Sequence, residues 1–349
     1  MKAMVFDRHG PPDVLEYKDV PMPTIGPTEV LFKVMAAGFN YNDVWARQGA
    51  NVEYPLPHIG GSDAAGLVVA VGEAVTTVKV GDEVLAHCGI SCRVCDACTR
   101  GEEYFCRRFR LWGFQTGPLD GGQAEYAKLP EVNIVPKPKN LSWEEAASLP
   151  LVLVSAWRQM VTRGGVRPGD FVLIWGAAGG MGSMAVQITR LFNAHPIAVA
   201  ASDDKLEFCA KIGAEHLINR KSQNVLDEVR RITSRRGADV VFEHPGAPTW
   251  PTSIQAVKWG GTITTTGATG GNIAETDLRH VYFRQLTIRG SLLGSKAELL
   301  EALKHVESGR LKPTISQVLP LKELARGHEI MEQDEIIGKM VFVPEHATA

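Results

Sequence analysis

Four of the six cysteines lie in one short segment, with the spacing Cys92-x2-Cys95-x2-Cys98-x7-Cys106. Four thiolates this close in sequence can converge on a tetrahedral Zn²⁺ ion and leave no coordination position open for a substrate. In a secreted chain the same cysteines could form two disulfides. The N-terminal residues contain no apolar stretch of signal-peptide length, and a metal site is therefore favoured. The spacing predicts one structural Zn²⁺ per subunit.

A glycine-rich segment follows the apolar run Phe171–Trp175 and reads Gly176-Ala177-Ala178-Gly179-Gly180-Met181-Gly182. A helical run begins directly after it, at Ser183. Glycines at a strand-to-helix turn allow a tight bend and let a pyrophosphate approach the N-terminus of the helix. This context predicts a dinucleotide-binding turn, and the expected contacts come from Gly176, Ala178, Gly179, Gly180 and Met181.

The end of the next predicted strand, Pro196–Ala201, determines which dinucleotide is expected. An acidic residue at this strand tip would hydrogen-bond the ribose hydroxyls of NAD and would repel a 2′-phosphate. The strand runs into Ser202 instead, and Lys205 follows shortly after it. Both of these side chains can donate to a phosphate, although Asp203 and Asp204 lie close by and could turn inward. We expect NADP(H) as the cofactor, bound in part by Ser202 and Lys205.

The elements that position these residues fall into two groups. The first ~130 residues contain short strands separated by Gly, Pro and Asp, which is typical of an antiparallel, barrel-like half. From about Trp143, helices and strands alternate, beginning with a predicted helix at Glu144–Met160, and this rhythm predicts a doubly wound parallel sheet. The last strands, Ile315–Pro320 and Gly338–Val343, would return to the first half. We therefore predict one domain from residues 1–145 and 290–349, and a nucleotide-binding domain from residues 146–289.

Composition limits the kind of partner. The chain has 349 residues, of which 44% are hydrophobic, and its formal net charge is −2. The small net charge and the lack of a long basic run argue against nucleic acid or an anionic membrane surface as the main partner. No window of 18 consecutive apolar residues occurs. We expect a soluble, cytoplasmic protein that acts on a small molecule and spans no membrane.

The order of these features resembles the medium-chain dehydrogenase/reductase superfamily over essentially the whole chain. The features are a barrel half, a four-cysteine lobe, a Gly-Gly-x-Gly nucleotide fold and returning C-terminal strands. The resemblance implies an α/β fold, in which a GroES-like antiparallel β-barrel forms the catalytic domain and a Rossmann sheet binds the nucleotide. It also implies a homodimer or homotetramer.

Zinc alcohol dehydrogenases of this superfamily hold a second, catalytic zinc through a cysteine, a histidine and a third ligand in known motifs. The matching positions in this chain are Asn40, Ser62 and a position near Leu151. These three side chains cannot together replace thiolate and imidazole ligands. The sequence therefore predicts no catalytic zinc, and alcohol oxidation would lack its Lewis acid.

Within the superfamily the chain is most similar to the crotonyl-CoA carboxylase/reductase and related enoyl-thioester reductase branch. The strings that carry this likeness are Phe39-Asn40-Tyr41-Asn42, Gly61-Ser62-Asp63-Ala64, Trp112-Gly113-Phe114, Ile218-Asn219-Arg220-Lys221 and Val241-Phe242-Glu243-His244-Pro245-Gly246. In carboxylating members, a glutamate and a histidine help to hold CO2. Here the corresponding residues are Gln115 and Leu292, and a leucine cannot hydrogen-bond CO2. We predict reduction without carboxylation.

The resemblance implies that hydride from NADPH adds to the β-carbon of an activated alkene, after which the α-carbon is protonated. Such a reaction needs hydrogen-bond donors at the thioester oxygen and a proton source. The candidates are Asn40, Tyr41 and Asn42, with Tyr41 the first choice as proton donor. Further cofactor contacts are expected from Arg220, Gly267, Leu292 and Leu293. The substrate is expected to be an acyl-CoA.

Three other functions remain open on the sequence alone. The chain could be a quinone or enone reductase of the zinc-free group, since that group shares nearly every motif named above. It could be an alcohol dehydrogenase with unrecognised metal ligands, or a non-enzymatic nucleotide-binding protein like the relatives recruited as lens crystallins.

Asp63 and His244 are expected to have structural roles.

Overall fold

The computed structural model describes residues 1–49, 55–114 and 119–347. The chain forms two compact units. The first comprises Met1–Leu151, Ser295–Glu307 and Lys312–Ala349, and the second comprises Val152–Gly294 and Ser308–Leu311. In the three described ranges, no helix has both the length and the apolar character needed to cross a membrane.

The N-terminal part of the first unit consists of short strands joined by short helices. In chain order these elements are β1 (Lys2–Phe6), β2 (Leu15–Asp19), β3 (Glu29–Gly38), α1 (Tyr41–Gln48), β4 (Asp63–Val71), β5 (Glu83–Ala86), β6 (Gly89–Ile90), α2 (Asp96–Thr99), β7 (Arg110–Leu111), β8 (Tyr126–Pro130), β9 (Ile134–Pro136) and α3 (Trp143–Ala147).

The chain then alternates between helix and strand. These elements are α4 (Pro150–Trp157), β10 (Phe171–Ile174), α5 (Gly180–Leu191), β11 (His195–Ala200), α6 (Asp203–Lys211), β12 (His216–Asn219), α7 (Val225–Ile232), β13 (Ala238–Glu243), α8 (Trp250–Ala256), β14 (Val257–Thr265), α9 (Leu278–Phe283) and β15 (Thr287–Gly290). The last elements are α10 (Lys296–Glu307), β16 (Ile315–Pro320), α11 (Leu324–Glu332) and β17 (Lys339–Val343).

The main sheet of the first unit has the strand order β16-β17-β3-β4-β5-β9, and β8 also pairs with β3. All of its pairings are antiparallel except that of β16 with β17. The long central strand β3 buries Val30, Phe32 and Val34 completely, which anchors the sheet to the core. The predicted GroES-like antiparallel domain is confirmed.

Tyr41 and Asn42, two of the candidate catalytic residues, lie in the first turn of a helix. The chain leaves β3 at Gly38, Asn40 takes the extended conformation of an N-cap, and α1 begins at Tyr41. Asp43, three residues after the cap, accepts a hydrogen bond from the Asn40 backbone N–H at 2.9 Å. Asn40 and Asp43 form a capping box, and it starts a helix where the strand ends.

The second unit is built on a six-stranded sheet with the order β12-β11-β10-β13-β14-β15, in which every pairing is parallel. The predicted doubly wound parallel sheet is confirmed. From β10 the chain proceeds outward to β11 and β12, and it returns to the other side of β10 to form β13. The carboxyl ends of β10 and β13 therefore flank the point where the strand order reverses, which is where ligands bind in such sheets.

The predicted helix Glu144–Met160 is not continuous. It consists of α3, then α4 beginning at Pro150, then a π-helix at Arg158–Arg163. Proline has no backbone N–H and fits only the first turn of a helix, so a new helix begins at Pro150.

Candidate active site and cofactor site

The four cysteine sulfurs of the predicted zinc site converge in the structure. The Sγ atoms of Cys92, Cys95, Cys98 and Cys106 all lie within 4.8 Å of one another. Cys92 and Cys98 are separated by 3.9 Å, and Cys95 and Cys98 by 3.5 Å. Four ligands at a Zn–S distance of about 2.3 Å stand ~3.8 Å apart in a regular tetrahedron. The cluster therefore fits one zinc ion with four thiolate ligands.

Backbone N–H groups around the cluster favour the thiolate form. The pKa of Cys92 is lowered to about 5, and the hydrogen bond from the Val94 backbone N–H is the largest cause. The backbone N–H groups of Cys92 and Arg108 each donate to the Cys106 sulfur at 3.4 Å. In the described ranges, these four cysteines are the one group of three or more Cys, His, Asp or Glu side chains that could hold a metal ion.

A second group of polar side chains is buried in the first unit around Asp63, at the start of β4. Asp63 Oδ2 accepts a hydrogen bond from the Asn40 side-chain amide at 2.8 Å, and its Oδ1 accepts from the Leu151 backbone N–H at 2.8 Å. The Lys339 ammonium donates to Asn40 Oδ1 at 2.6 Å and lies 3.5 Å from Asp63 Oδ2. Asn40 is thus held by a cation at its oxygen and by an anion at its nitrogen.

Burial shifts the pKa values of the carboxyl groups and of the lysine in this cluster in opposite directions. It raises the pKa of Asp63 and, despite the opposing effect of the two nearby carboxyl groups, it lowers the pKa of Lys339. Burial also raises the pKa of Asp43 to about 7. The two carboxylate oxygens of Asp43 accept hydrogen bonds from backbone N–H groups, one from Asn40 at 2.9 Å and one from Gly61 at 3.1 Å. Asp43 therefore connects the start of α1 to the segment that precedes β4.

Asn42 and Ser62 form a pair beside this network. The side-chain amide of Asn42 donates to the Ser62 hydroxyl oxygen at 2.8 Å. Ser62 is completely buried. The Oδ1 atom of Asn42 is also buried, and no donor among the described residues meets it. Because a buried amide oxygen without a partner costs free energy, the Asn42 amide has a hydrogen bond still to gain, either by turning Oδ1 toward the Ser62 hydroxyl or from a bound molecule.

Tyr41 lies on the same helical turn but in different surroundings. Its ring packs edge-to-face on Trp45 with the ring centroids 5.3 Å apart. Burial raises the pKa of Tyr41 above its ordinary value of 10.0, and Glu332 and Asp334 raise it further. The phenol therefore remains protonated at neutral pH, and it is a weaker acid than tyrosine in water.

The three positions matched to a catalytic zinc site come together around Asp63. Asn40 and Leu151 both donate to its carboxylate, and Ser62 precedes it in the chain. They supply a carboxamide, a backbone N–H and a hydroxyl, and the carboxylate itself is already engaged. This set does not fit a zinc ion, which prefers thiolate, imidazole or free carboxylate ligands.

The glycine-rich turn lies between β10 and α5, as predicted. Gly176 adopts the left-handed conformation with φ 57°, Gly179 is the N-cap of α5, and Gly180 is its first residue. A side chain on Gly182 would place its Cβ 2.2 Å from the Gly176 carbonyl oxygen, so only glycine lets the helix approach the turn. The 12-residue helix α5 directs its N-terminal N–H groups toward this turn, an arrangement that fits a pyrophosphate. Ala178 and Met181 complete the segment.

The polar residues after β11 are held by one another. Ser202 is the N-cap of α6, and its side chain bonds to Asp204 and lowers the pKa of that carboxyl group. Asp203 accepts a hydrogen bond from the Asn219 amide at 2.8 Å. Lys205, in the first turn of α6, is buried. The strand tip itself carries no carboxylate, and the two aspartates are engaged beside it.

The remaining predicted cofactor residues lie at three strand ends of the parallel sheet. The backbone N–H of Arg220, directly after β12, donates to Ala200 at 3.0 Å. Gly267 follows β14, and a side chain there would meet the His244 carbonyl oxygen at 3.0 Å. Leu292 and Leu293 follow β15, where Leu292 is exposed and Leu293 is buried. All of them lie at the carboxyl edge of the sheet.

Sequence reasoning missed Asp43 and Lys339. Asp43 stands three residues after Asn40, and this capping-box spacing could have indicated it. Lys339 begins an otherwise apolar strand, and its side chain is buried. A lysine is rarely buried without a partner, so its place in that strand was the available signal.

Two protein-family models match the chain. Residues 26–139 match the alcohol dehydrogenase GroES-like domain, and residues 180–308 match the zinc-binding dehydrogenase family. Crotonyl-CoA reductase of Streptomyces avermitilis is 36% identical, over 93% of this chain and 82% of the relative. The chain belongs to the medium-chain dehydrogenase/reductase superfamily. As a member of this superfamily it is an oxidoreductase, and the predicted superfamily and fold class are confirmed.

Solved structures of superfamily members superpose closely. The structure of an NAD-dependent alcohol dehydrogenase has a TM-score of 0.94 and 43% sequence identity, covering 98% of this chain and 99% of that chain. The structure of a crotonyl-CoA carboxylase/reductase in complex with NADP has a TM-score of 0.90 and 32% identity, covering 98% of this chain and 94% of that one. These two relatives differ in activity, so the residues at the site must distinguish between them.

Proposed function

We propose that the protein uses NADPH to reduce the C=C bond of a 2-enoyl thioester of the crotonyl-CoA or acryloyl-CoA type, without carboxylation. The observation that carries this proposal is the Asn42–Ser62 pair, in which the buried Oδ1 atom of the amide meets no donor among the described residues. The reductase activity of the Streptomyces relative supports the reaction class. The substrate would be an acyl-CoA, and the bound dinucleotide would supply the hydride.

Asn42 would stabilise the charge that develops on the thioester oxygen as the β-carbon is reduced. In the structure its amide nitrogen donates to Ser62. Rotation of the amide by half a turn lets the Ser62 hydroxyl donate to Oδ1 and frees the amide N–H groups for the substrate oxygen. A donor aimed at a developing oxyanion in a buried site can contribute about 10²-fold in rate.

Asn40 and Tyr41 would have different tasks. Because Lys339 and Asp63 engage both ends of the Asn40 amide, Asn40 would hold the start of α1 in place and offer its remaining N–H. Tyr41 would donate the proton to the α-carbon of the enolate. The raised pKa of Tyr41 keeps the phenol protonated, and an enolate carbon is a stronger base than a phenolate.

The cofactor would be held at the carboxyl edge of the parallel sheet in the second unit. The pyrophosphate would lie on the turn formed by Gly176, Ala178, Gly179, Gly180 and Met181. Ser202, Lys205 and Arg220 would bind the 2′-phosphate, and Gly267, Leu292 and Leu293 would line the nicotinamide end. The absence of a carboxylate at the tip of β11 supports NADPH over NADH.

Reduction without carboxylation is supported by Leu292, whose alkyl side chain has no hydrogen-bonding group for CO2. Gln115, the other residue on which this expectation rests, lies outside the described residues. We also propose that residues 1–145 and 290–349 form the catalytic domain. Residues 146–289 would form the nucleotide-binding domain.

Alcohol oxidation is the second candidate, favoured by the 43% identity to an NAD-dependent alcohol dehydrogenase. The residues around Asp63 argue against the zinc-dependent form of that reaction, because Asn40, Ser62 and Leu151 do not supply a zinc ligand set.

A homodimer or homotetramer is proposed from an apolar surface on the second unit. Strand β15 is the outer edge of its sheet, and large apolar side chains are exposed nearby. These are Trp259, Leu278, Tyr282 and Phe283. Exposed apolar groups of this number at a sheet edge are typical of a contact between copies. Light scattering on the purified protein measures the mass directly, and a monomer at micromolar concentration would contradict the proposal.

The decisive experiment is NADPH oxidation with crotonyl-CoA, acryloyl-CoA, a quinone and an enone, each with and without bicarbonate. We expect turnover with an enoyl-CoA that does not respond to bicarbonate and gives a saturated, uncarboxylated product. Oxidation of a primary or secondary alcohol by NAD⁺ in the parallel assay, with no enoyl-CoA turnover, would favour the second candidate. An ethylmalonyl product would refute the argument from Leu292.

A further inference from the structure

His244 stands at the reversal point of the parallel sheet, beside the glycine-rich turn. It follows β13 directly, and Gly176 follows β10 by two residues. A Cβ on Gly176 would lie 2.7 Å from His244 Nε2 and 2.8 Å from its Cε1 atom. The imidazole ring therefore covers the first glycine of the turn. The crevice between the carboxyl ends of two such neighbouring strands is where a dinucleotide crosses the sheet.

One hydrogen bond determines where the proton of this imidazole lies. The Nε2 atom is 3.0 Å from the backbone carbonyl oxygen of Trp175. A carbonyl oxygen only accepts hydrogen bonds, so Nε2 must carry the hydrogen. In a neutral imidazole the other nitrogen, Nδ1, is then an acceptor. Across the described residues no donor meets Nδ1, and the atom is not enclosed by protein.

The ring is neutral at physiological pH. Burial lowers the pKa of His244 to about 4, and the bond to Trp175 opposes this only in part. A protonated ring would present an N–H to the crevice and would suit a phosphate oxygen. The neutral ring presents a lone pair there, which suits a hydroxyl or an amide N–H and disfavours a phosphate oxygen.

We infer that His244 is a cofactor-binding residue whose Nδ1 atom accepts a hydrogen bond from a donor group of the bound dinucleotide. Two groups of a nicotinamide dinucleotide have this chemistry, namely a ribose hydroxyl and the carboxamide NH₂ of the nicotinamide. The inference rests on the proposed cofactor and extends it. It assigns His244 a role in binding, whereas the sequence alone indicated a structural one.

The test compares the full-length protein with two variants at this position. In His244→Gln the side-chain amide can donate to Trp175 and accept from the ligand, whereas His244→Phe keeps a ring over Gly176 and removes both functions. Leaving a buried donor unpaired costs about 1.4 kcal/mol or more, so His244→Phe should bind NADP⁺ about 10-fold more weakly. His244→Gln should bind it within about 3-fold of the wild type. The dissociation constants are measured by quenching of protein fluorescence.

The 3-acetylpyridine analogue of NADP⁺ distinguishes the two donors, because it lacks the carboxamide NH₂. If the carboxamide is the donor, the wild type binds the analogue more weakly than NADP⁺, and His244→Phe binds both alike. If a ribose hydroxyl is the donor, the wild type binds both alike, and His244→Phe is weaker for both. Either result supports the inference.

Two results would overturn it. One is equal affinity of the wild type and His244→Phe for NADP⁺. The other is a His244→Gln variant that binds as weakly as His244→Phe although its unfolding temperature matches that of the wild type. A wild type that binds neither NADP⁺ nor NAD⁺ would refute the proposed cofactor as well, and so the two failures are distinguishable.

Discussion

The imidazole of His244 lies so close to Gly176 that a methyl group on the glycine would enter its van der Waals surface, at 2.7 Å from Nε2. Gly176 also has a positive φ of 57°. Two separate costs therefore oppose any side chain at this position, backbone strain and collision with the ring.

We predict that Gly176→Ala lowers the free energy of unfolding by more than the ~1–2 kcal/mol that a left-handed alanine costs by itself. In a His244→Ala background the ring is absent, and the cost of Gly176→Ala should fall toward that value. Urea denaturation of the two single variants and the double variant measures the coupling. An equal cost in both backgrounds would show that the ring does not restrict this position.

The free energy of unfolding should fall strongly when one partner of the buried ion pair between Lys339 and Asp63 is lost. Lys339→Met leaves the Asp63 carboxylate buried without its cation, which typically costs about 3–5 kcal/mol. Adding Asp63→Asn removes the uncompensated charge, so the double variant should be more stable than Lys339→Met alone. Urea denaturation again provides the measurement. A double variant whose loss equals the sum of the two single losses would argue against the pairing.

Asp43 should make stability fall as the pH rises. Its pKa is raised from 3.8 in the unfolded chain to about 7 in the folded protein. Between these values the folded state binds more protons than the unfolded state, and the free energy of unfolding therefore decreases with increasing pH. Asp43→Asn, which cannot titrate, should have a flatter profile between about pH 4 and pH 7. Thermal unfolding across this range tests the sign, and parallel profiles for the two proteins would contradict it.

The four-cysteine cluster should hold one zinc ion per subunit. Cys95→Ser removes one of four thiolate ligands and should release the metal and lower the unfolding temperature. Cys209 is buried and distant in sequence from the cluster, so Cys209→Ser serves as the matched control and should retain the metal. Elemental analysis of the purified proteins gives the stoichiometry. Full zinc content in Cys95→Ser would mean that the cluster is not the site.

Asn42 and Tyr41 at the start of α1 should affect turnover rather than cofactor binding. Asn42→Leu removes the proposed donor and should lower kcat for an enoyl-CoA by about 10²-fold, while the NADPH dissociation constant stays unchanged. Tyr41→Phe keeps the packing on Trp45 and should also reduce kcat. Steady-state kinetics with an equilibrium binding measurement separate the two effects. An unchanged rate in Tyr41→Phe would leave water as the proton donor.

Features that depend on near neighbours in the chain could be predicted from the sequence. The zinc ligands lie within one short segment, and the glycine-rich turn joins a strand to the helix that follows it. Local spacing therefore indicated both sites, and the alternation of helix and strand indicated the parallel sheet. The start of α1 was missed because its signal is the single pair of Asn40 and Asp43.

The sequence by itself determined the oxidoreductase fold, the four cysteines and the nucleotide turn, because each is encoded by residues close together along the chain. Only the tertiary structure decided which polar side chains meet Asn40 in the first unit and Gly176 in the second. Lys339 lies 299 positions from Asn40 in sequence and reaches it because β17 returns to pair with β3. His244 covers Gly176 because β13 and β10 are neighbours in the sheet. Such contacts follow from strand pairing between distant segments, which local periodicity does not specify.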